Sequence, residues 1–68
     1  MINADKNWYR ACALAVANIL RLHDQPVIAK DLYNSLSLSK KVMRDADVAP
    51  EDIEVMKNGF GADWNRMS

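Results

Sequence analysis

Apolar and small residues dominate one long stretch near the start of the chain, WYRACALAVANILRL from Trp8 to Leu22. At about 100° per residue, the polar positions form one narrow helical stripe around Leu14, which contains Asn7, Arg10, Asn18 and Arg21. Two apolar flanks fill the rest: Trp8, Cys12, Ala15, Ile19 and Leu22 on the first, and Tyr9, Ala13, Val16 and Leu20 on the second. The pattern predicts a single long helix that is apolar around roughly half of its circumference.

A helix that faces one small core usually needs an apolar arc of only about 100°. We therefore expect one flank of this helix to pack on its own chain and the other to pack on a second copy. The alanine pairs Ala11/Ala15 and Ala13/Ala17 would allow another backbone to come close. The predicted homodimer interface consists of Tyr9, Ala13, Val16, Ala17 and Leu20. The alternative is a monomer whose remaining segments wrap the helix.

Three shorter helices are expected to follow, which makes the fold class all-α, a small bundle of three to four helices. Proline cannot continue a helix but suits its first position, so Pro26 and Pro50 should each open one. The predicted ranges are 26–36, 40–46 and 50–58, with Ser37 or Ser39 as the cap of the middle helix and Gly59 as the stop. Asn3 or Asp5 is the expected cap of the first helix. Residues 1–59 form the predicted domain.

Residues 60–68 are interpreted as a separate tail. Phe60, Trp64 and Met67 stand at the spacing of one helical face, as in a peptide that folds onto a partner or across a dimer. Together with Tyr33, these residues are the predicted partner-binding anchors, because aromatic side chains dominate interface energetics. The alternative is a frayed terminus whose aromatic residues cover the core, since Gly59 and Gly61 disfavour a helix here.

Residues 26–46 also suggest a helix-turn-helix that would direct Lys40, Lys41 and Arg44 toward DNA. Tyr33 argues against this interpretation, because it occupies a position that usually needs a small residue for close helix crossing. The acidic residues that follow would also repel a phosphate backbone: Asp45, Asp47, Glu51, Asp52 and Glu54. DNA binding is therefore the secondary hypothesis.

Composition restricts the remaining possibilities. Nine basic residues balance nine acidic ones, so the chain lacks the basic excess of most dedicated nucleic-acid binders. The single cysteine, Cys12, excludes an internal disulfide and is expected to be a small core residue. The sequence contains no recognisable catalytic, cofactor or metal-binding motif, so we expect a non-enzyme without cofactors. The absence of a signal peptide or a long uninterrupted apolar run favours a cytoplasmic protein that does not enter a membrane.

Surplus apolar surface, zero net charge and absent chemistry favour a small regulator, adaptor or inhibitor that acts by protein–protein interaction. In size and compactness the chain resembles accessory proteins of bacterial viruses and mobile elements, many of which bind and inhibit host proteins. This resemblance is one of general style and rests on no motif. A structural subunit of a larger assembly is a third hypothesis.

Overall fold

The computed structural model describes residues 6–68, which form helices joined by short turns. The elements are α1 (Lys6–Asn18), a π-helical turn that continues it (Ile19–His23), α2 (Pro26–Ser35), α3 (Lys40–Asp45), α4 (Pro50–Phe60) and a 3₁₀ segment (Gly61–Arg66). The all-α prediction, with a long first helix followed by shorter ones, is confirmed. The expected caps Asn3 and Asp5 lie outside the described residues.

The first helix is the centre of the molecule, since α2, α3 and α4 all pack against it. The backbones of α2 and α3 do not come close to each other. The core forms where the three short helices meet one side of α1, and its largest fully buried side chains are Tyr33, Met43, Met56 and Val16. Cys12 is buried in this core, as the sequence analysis expected.

The starts of the short helices follow the sequence signals. Pro26 and Pro50 each occupy the first turn of their helix, where the missing N–H removes no intrahelical bond. The Oγ of Ser39 accepts a hydrogen bond of 3.0 Å from the backbone N–H of Val42, which caps α3.

Two helix ends repeat one turn geometry. Ser37 after α2 and Asp47 after α3 both have a left-handed backbone, with φ of 56° and 58°. Beyond them, the N–H groups of Leu38 and Val48 donate to carbonyl groups five residues earlier, and both side chains are buried. These features define a Schellman motif, which satisfies the last carbonyls of a helix and turns the chain sharply.

The end of α4 differs from the prediction, because Gly59 lies inside the helix and Gly61 ends it. A Cβ on Gly59 would lie 2.9 Å from Cδ2 of Leu20 in the π-helical turn, so this glycine permits close helix packing. Gly61 has φ of 61°. Glycine adopts a positive φ more readily than residues that carry a side chain. The chain therefore turns at Gly61 and continues as the 3₁₀ segment.

Within residues 6–68, no helix is both long enough and apolar enough to cross a membrane.

Candidate interaction face

The flank predicted for dimer contact lies inside the chain. Ala13, Val16 and Ala17 are fully buried, Leu20 is nearly so, and Tyr9 packs against the same core. The residues predicted for the dimer interface thus pack within their own chain, because the three short helices cover this flank of α1. Periodicity identified two apolar flanks correctly but did not show which of them its own chain would cover.

The predicted partner-binding aromatic residues are also covered by their own chain. Tyr33 is fully buried, Phe60 and Trp64 are buried, and Met67 packs at the edge of the core. The Tyr33 and Phe60 rings meet edge to face with centroids 6.1 Å apart, and the Phe60 and Trp64 rings stack at 6.4 Å. The residues predicted as partner-binding anchors thus lie in the core of their own chain or at its edge. Their helical spacing serves packing within the chain.

Hydrogen bonds tie residues 61–68 to α2 and α3. The Tyr33 hydroxyl donates to the backbone oxygen of Ser68 at 2.8 Å, and the Lys40 backbone N–H donates to the same oxygen at 2.9 Å. The Lys40 ammonium donates to the carbonyl oxygen of Trp64 and lies 4.7 Å from the centroid of its ring. The segment that the sequence suggested as a separate tail thus packs against its own chain.

The three residues proposed for DNA binding do not form a free basic surface. Lys40 is engaged by Trp64, and Lys41 pairs with Asp45 at 2.9 Å, which lowers the pKa of that carboxyl. Arg44 is exposed. Because α2 and α3 pack on α1 and not on each other, they lack the mutual packing of a helix-turn-helix.

The exposed apolar surface lies on the other side of α1. Every large hydrophobic side chain that stays exposed among residues 6–68 falls between positions 8 and 28: Trp8 (54% exposed), Leu14 (45%), Leu22 (68%), Val27 (79%) and Ile28 (56%). On α1 and the π-helical turn, Trp8 and Leu22 share an outer stripe with small or half-buried residues, and we define this stripe as Trp8, Ala11, Ala15, Ile19 and Leu22. Leu14 lies apart from it, among the polar residues of α1.

The start of α2 extends this surface. Ile28 lines a shallow groove with Ile19, His23 and Gln25, so the stripe and the first turn of α2 are continuous. Val27 stands beside Ile28 and is the most exposed of the large apolar residues. We call Val27 and Ile28 the α2 corner, and the outer stripe together with this corner the outer face.

Charged side chains lie beside the outer face and not on it. At one end of α1, Lys6 bonds to Asp47 at 3.0 Å, while Arg10 donates to the carbonyl oxygen of Ala46 at 2.9 Å. At the other end, Arg21 reaches across to Asp52 on α4 at 2.8 Å. These cations thus hold α1 to the rest of the chain and leave the outer stripe uncharged.

A second groove, between α2 and α4, has mixed character. Val27 and Phe60 contribute apolar surface, and a long ion pair of 3.7 Å between Lys30 and Asp63 crosses it. The hydrogen bond from Arg66 and the charge of Lys30 lower the pKa of Asp63. The groove places Val27 next to both apolar and charged neighbours, as expected at the rim of an interface.

Reactive and metal-binding groups were also sought among the described residues. Burial raises the pKa of the Cys12 thiol, which makes the reactive thiolate rarer. Within residues 6–68, no group of three His, Cys, Asp or Glu side chains is placed to hold a metal ion.

Sequence reasoning did not single out Leu22, Val27 and Ile28 as exposed residues. The available signal was their position: three large apolar residues on either side of the polar turn Asp24-Gln25-Pro26, where solvent exposure is highest.

Comparison of the chain with protein-family models, with curated proteins and with solved structures finds no match in any of the three.

Proposed function

We propose that this protein is a small non-enzymatic regulator, adaptor or inhibitor that acts by binding another protein through its outer face. The observation that carries the proposal is that four of the five large exposed hydrophobic side chains among residues 6–68, all except Leu14, lie on the outer face. Scattered apolar residues are normal on a monomer, whereas a continuous patch rimmed by polar groups marks an interaction site.

The α2 corner supplies the best anchors for a partner. Val27 and Ile28 project from the first turn of α2 and remain mostly exposed, so burying them would release apolar surface from water without disturbing the core. Neighbouring polar side chains, including Lys30 and Asp31, would form the rim that closes around such anchors.

Substitution of the corner tests this proposal. Val27 and Ile28 are replaced together by glutamate, which an exposed first helical turn tolerates because negative charge is favourable near a helix N-terminus. The matched control is Ala62→Glu, an exposed position in the 3₁₀ segment. Each variant is tagged and used to retain proteins from an extract of the cells that naturally express the chain.

We expect the wild type and the control to retain the same protein, in a fixed ratio to the tagged chain. The corner variant should fail to retain it. Because the contact is apolar, retention should persist in high salt. Retention of the same proteins by all three chains would contradict the proposal. So would recovery of nucleic acid whose binding falls steeply with salt, the behaviour expected of the DNA-binding hypothesis.

A further inference from the structure

Large side chains stand at both ends of the outer stripe, and an alanine stands at its centre. Reversal about Ala15 exchanges Trp8 with Leu22 and Ala11 with Ile19, and returns Ala15 to itself. The exchange therefore pairs large with large at the ends, small with large in between, and alanine with itself at the centre. Two antiparallel copies of α1 placed face to face would cross closely at Ala15, while each Trp8 met the Leu22 of the other copy.

The charge of the stripe also fits contact with itself. In an isologous interface each residue of the axis region meets its own kind, so a charged face would repel its copy. The five stripe residues are uncharged, although 26% of the chain is Asp, Glu, Lys or Arg. The nearby cations Lys6 and Arg21 are paired with Asp47 and Asp52.

The area of the stripe limits how stable such a contact can be. The 18 residues of α1 and the π-helical turn span about 27 Å, and a helix is about 10 Å wide. A standard interface takes about 800 Å² from each partner, whereas this stripe offers a smaller area. A self-contact of this size would be weak and reversible.

We propose that a second copy of this chain covers the outer stripe in an antiparallel, two-fold contact centred on Ala15. The inference rests on the proposed function, since it names one protein that the outer face binds. It leaves the α2 corner of each copy at the edge of the dimer, where another protein can reach it.

The test is the solution mass of the wild type, Ala15→Glu and Ala62→Glu, measured by sedimentation from about 1 μM to 1 mM, the range around a weak contact. Both alanines are exposed in the single chain, so neither substitution should disturb folding, and circular dichroism verifies this. We expect the wild type and Ala62→Glu to dimerise with concentration. Ala15→Glu brings two carboxylates together and should weaken dimerisation at least about 100-fold.

Cross-linking gives an independent readout. A two-fold axis at Ala15 places that residue beside its own copy, within the reach of a disulfide. Ala15→Cys should therefore form a disulfide-linked dimer at least about tenfold faster than Ala62→Cys. The native Cys12 does not interfere, because it is buried.

A wild type that stays monomeric to 1 mM, a dimer that Ala15→Glu leaves intact, or equal cross-linking at positions 15 and 62 would each overturn the inference. None of these results would remove the proposed function, which the α2 corner variant tests separately. Loss of partner retention in that variant together with a monomeric wild type would mean that the outer face binds a different protein only.

Discussion

Ser37 and Asp47 show how much a single backbone conformation contributes to this fold. Each has a left-handed backbone conformation, which is sterically unfavourable for a residue with a side chain. This conformation allows the next residue, Leu38 or Val48, to reach the core. Neither is a glycine, so the sequence carried no clear signal for the turn type. The strain at these positions is offset by the carbonyl groups that the Schellman motif satisfies.

Ser37→Gly is expected to stabilise the protein, because glycine adopts this backbone without steric cost. The free energy of unfolding should rise by about 0.5 to 1 kcal/mol, which corresponds to a Tm increase of several degrees in a domain this small. Thermal unfolding followed by circular dichroism measures the change. As a control, Glu54→Gly in the exposed middle of α4 should lower stability by a similar amount. A lower Tm for Ser37→Gly would contradict this account of the turn.

Ionisation of the buried Tyr33 is expected to lower the stability of the protein at high pH. Its burial raises the pKa to about 12 from 10. The folded-state pKa therefore lies above the unfolded-state value, so the stabilisation from the neutral phenol is complete below pH 10 and is lost as the pH rises toward 12.

Tyr33→Phe isolates this effect. Below pH 9 the wild type should be more stable by about 1 kcal/mol, because only tyrosine can donate to the Ser68 backbone oxygen. Between pH 10 and 12 it should lose about 2 to 3 kcal/mol relative to the variant, which reverses their order. Urea unfolding at each pH measures the difference, and a constant difference would rule out ionisation of Tyr33 as the cause.

At the scale of elements, the sequence signals predicted the helices well and the last segment poorly. Proline at helix starts is a local signal, so Pro26 and Pro50 followed directly from residue type. Ser39 was one of the two serines expected to cap α3. The placement of residues 60–68 depends on distant contacts, from Phe60 to Tyr33 and from Trp64 to Lys40, which no local pattern encodes. The spacing of its aromatic residues showed a shared face without showing what that face meets.

Trp64→Ala tests whether the 3₁₀ segment belongs to the fold. Removing a buried tryptophan from the core should cost about 3 kcal/mol or more, a large part of the stability of a domain this size. The control is Trp8→Ala, because Trp8 remains half exposed and its loss should cost much less. Urea unfolding followed by circular dichroism gives both values. Equal stability losses would indicate that Trp64 lies in a free tail.

The ion pair between Arg21 and Asp52 is a second link between elements. It joins the π-helical turn to α4, and Asp52 is buried. Asp52→Ala should lower the free energy of unfolding by about 2 kcal/mol, because a partly buried charge-assisted hydrogen bond is lost. Asp45→Ala, which breaks the exposed pair with Lys41, should leave stability nearly unchanged. A similar effect of both substitutions would show that the Arg21–Asp52 pair has no special role.

At the scale of the whole molecule, the location of the exposed apolar surface depends on which flank of α1 the chain covers. Both flanks are apolar, and the side that forms the core depends on where α2, α3 and α4 lie, which hydrophobic periodicity does not specify. The structure buries Ala13 and Val16 and exposes Ala15 and Leu22. The expectation of surplus apolar surface remains, and its location has moved to the outer face.

The most direct test of this account compares Ala13→Glu with Ala15→Glu, two identical substitutions two residues apart on α1. Helicity and urea unfolding are measured for both at low micromolar concentration. We predict that Ala15→Glu folds like the wild type, whereas Ala13→Glu loses its cooperative unfolding transition because it places an unpaired charge in the core. A folded Ala13→Glu beside an unfolded Ala15→Glu would mean that the chain covers the opposite flank, and the outer face would cease to exist.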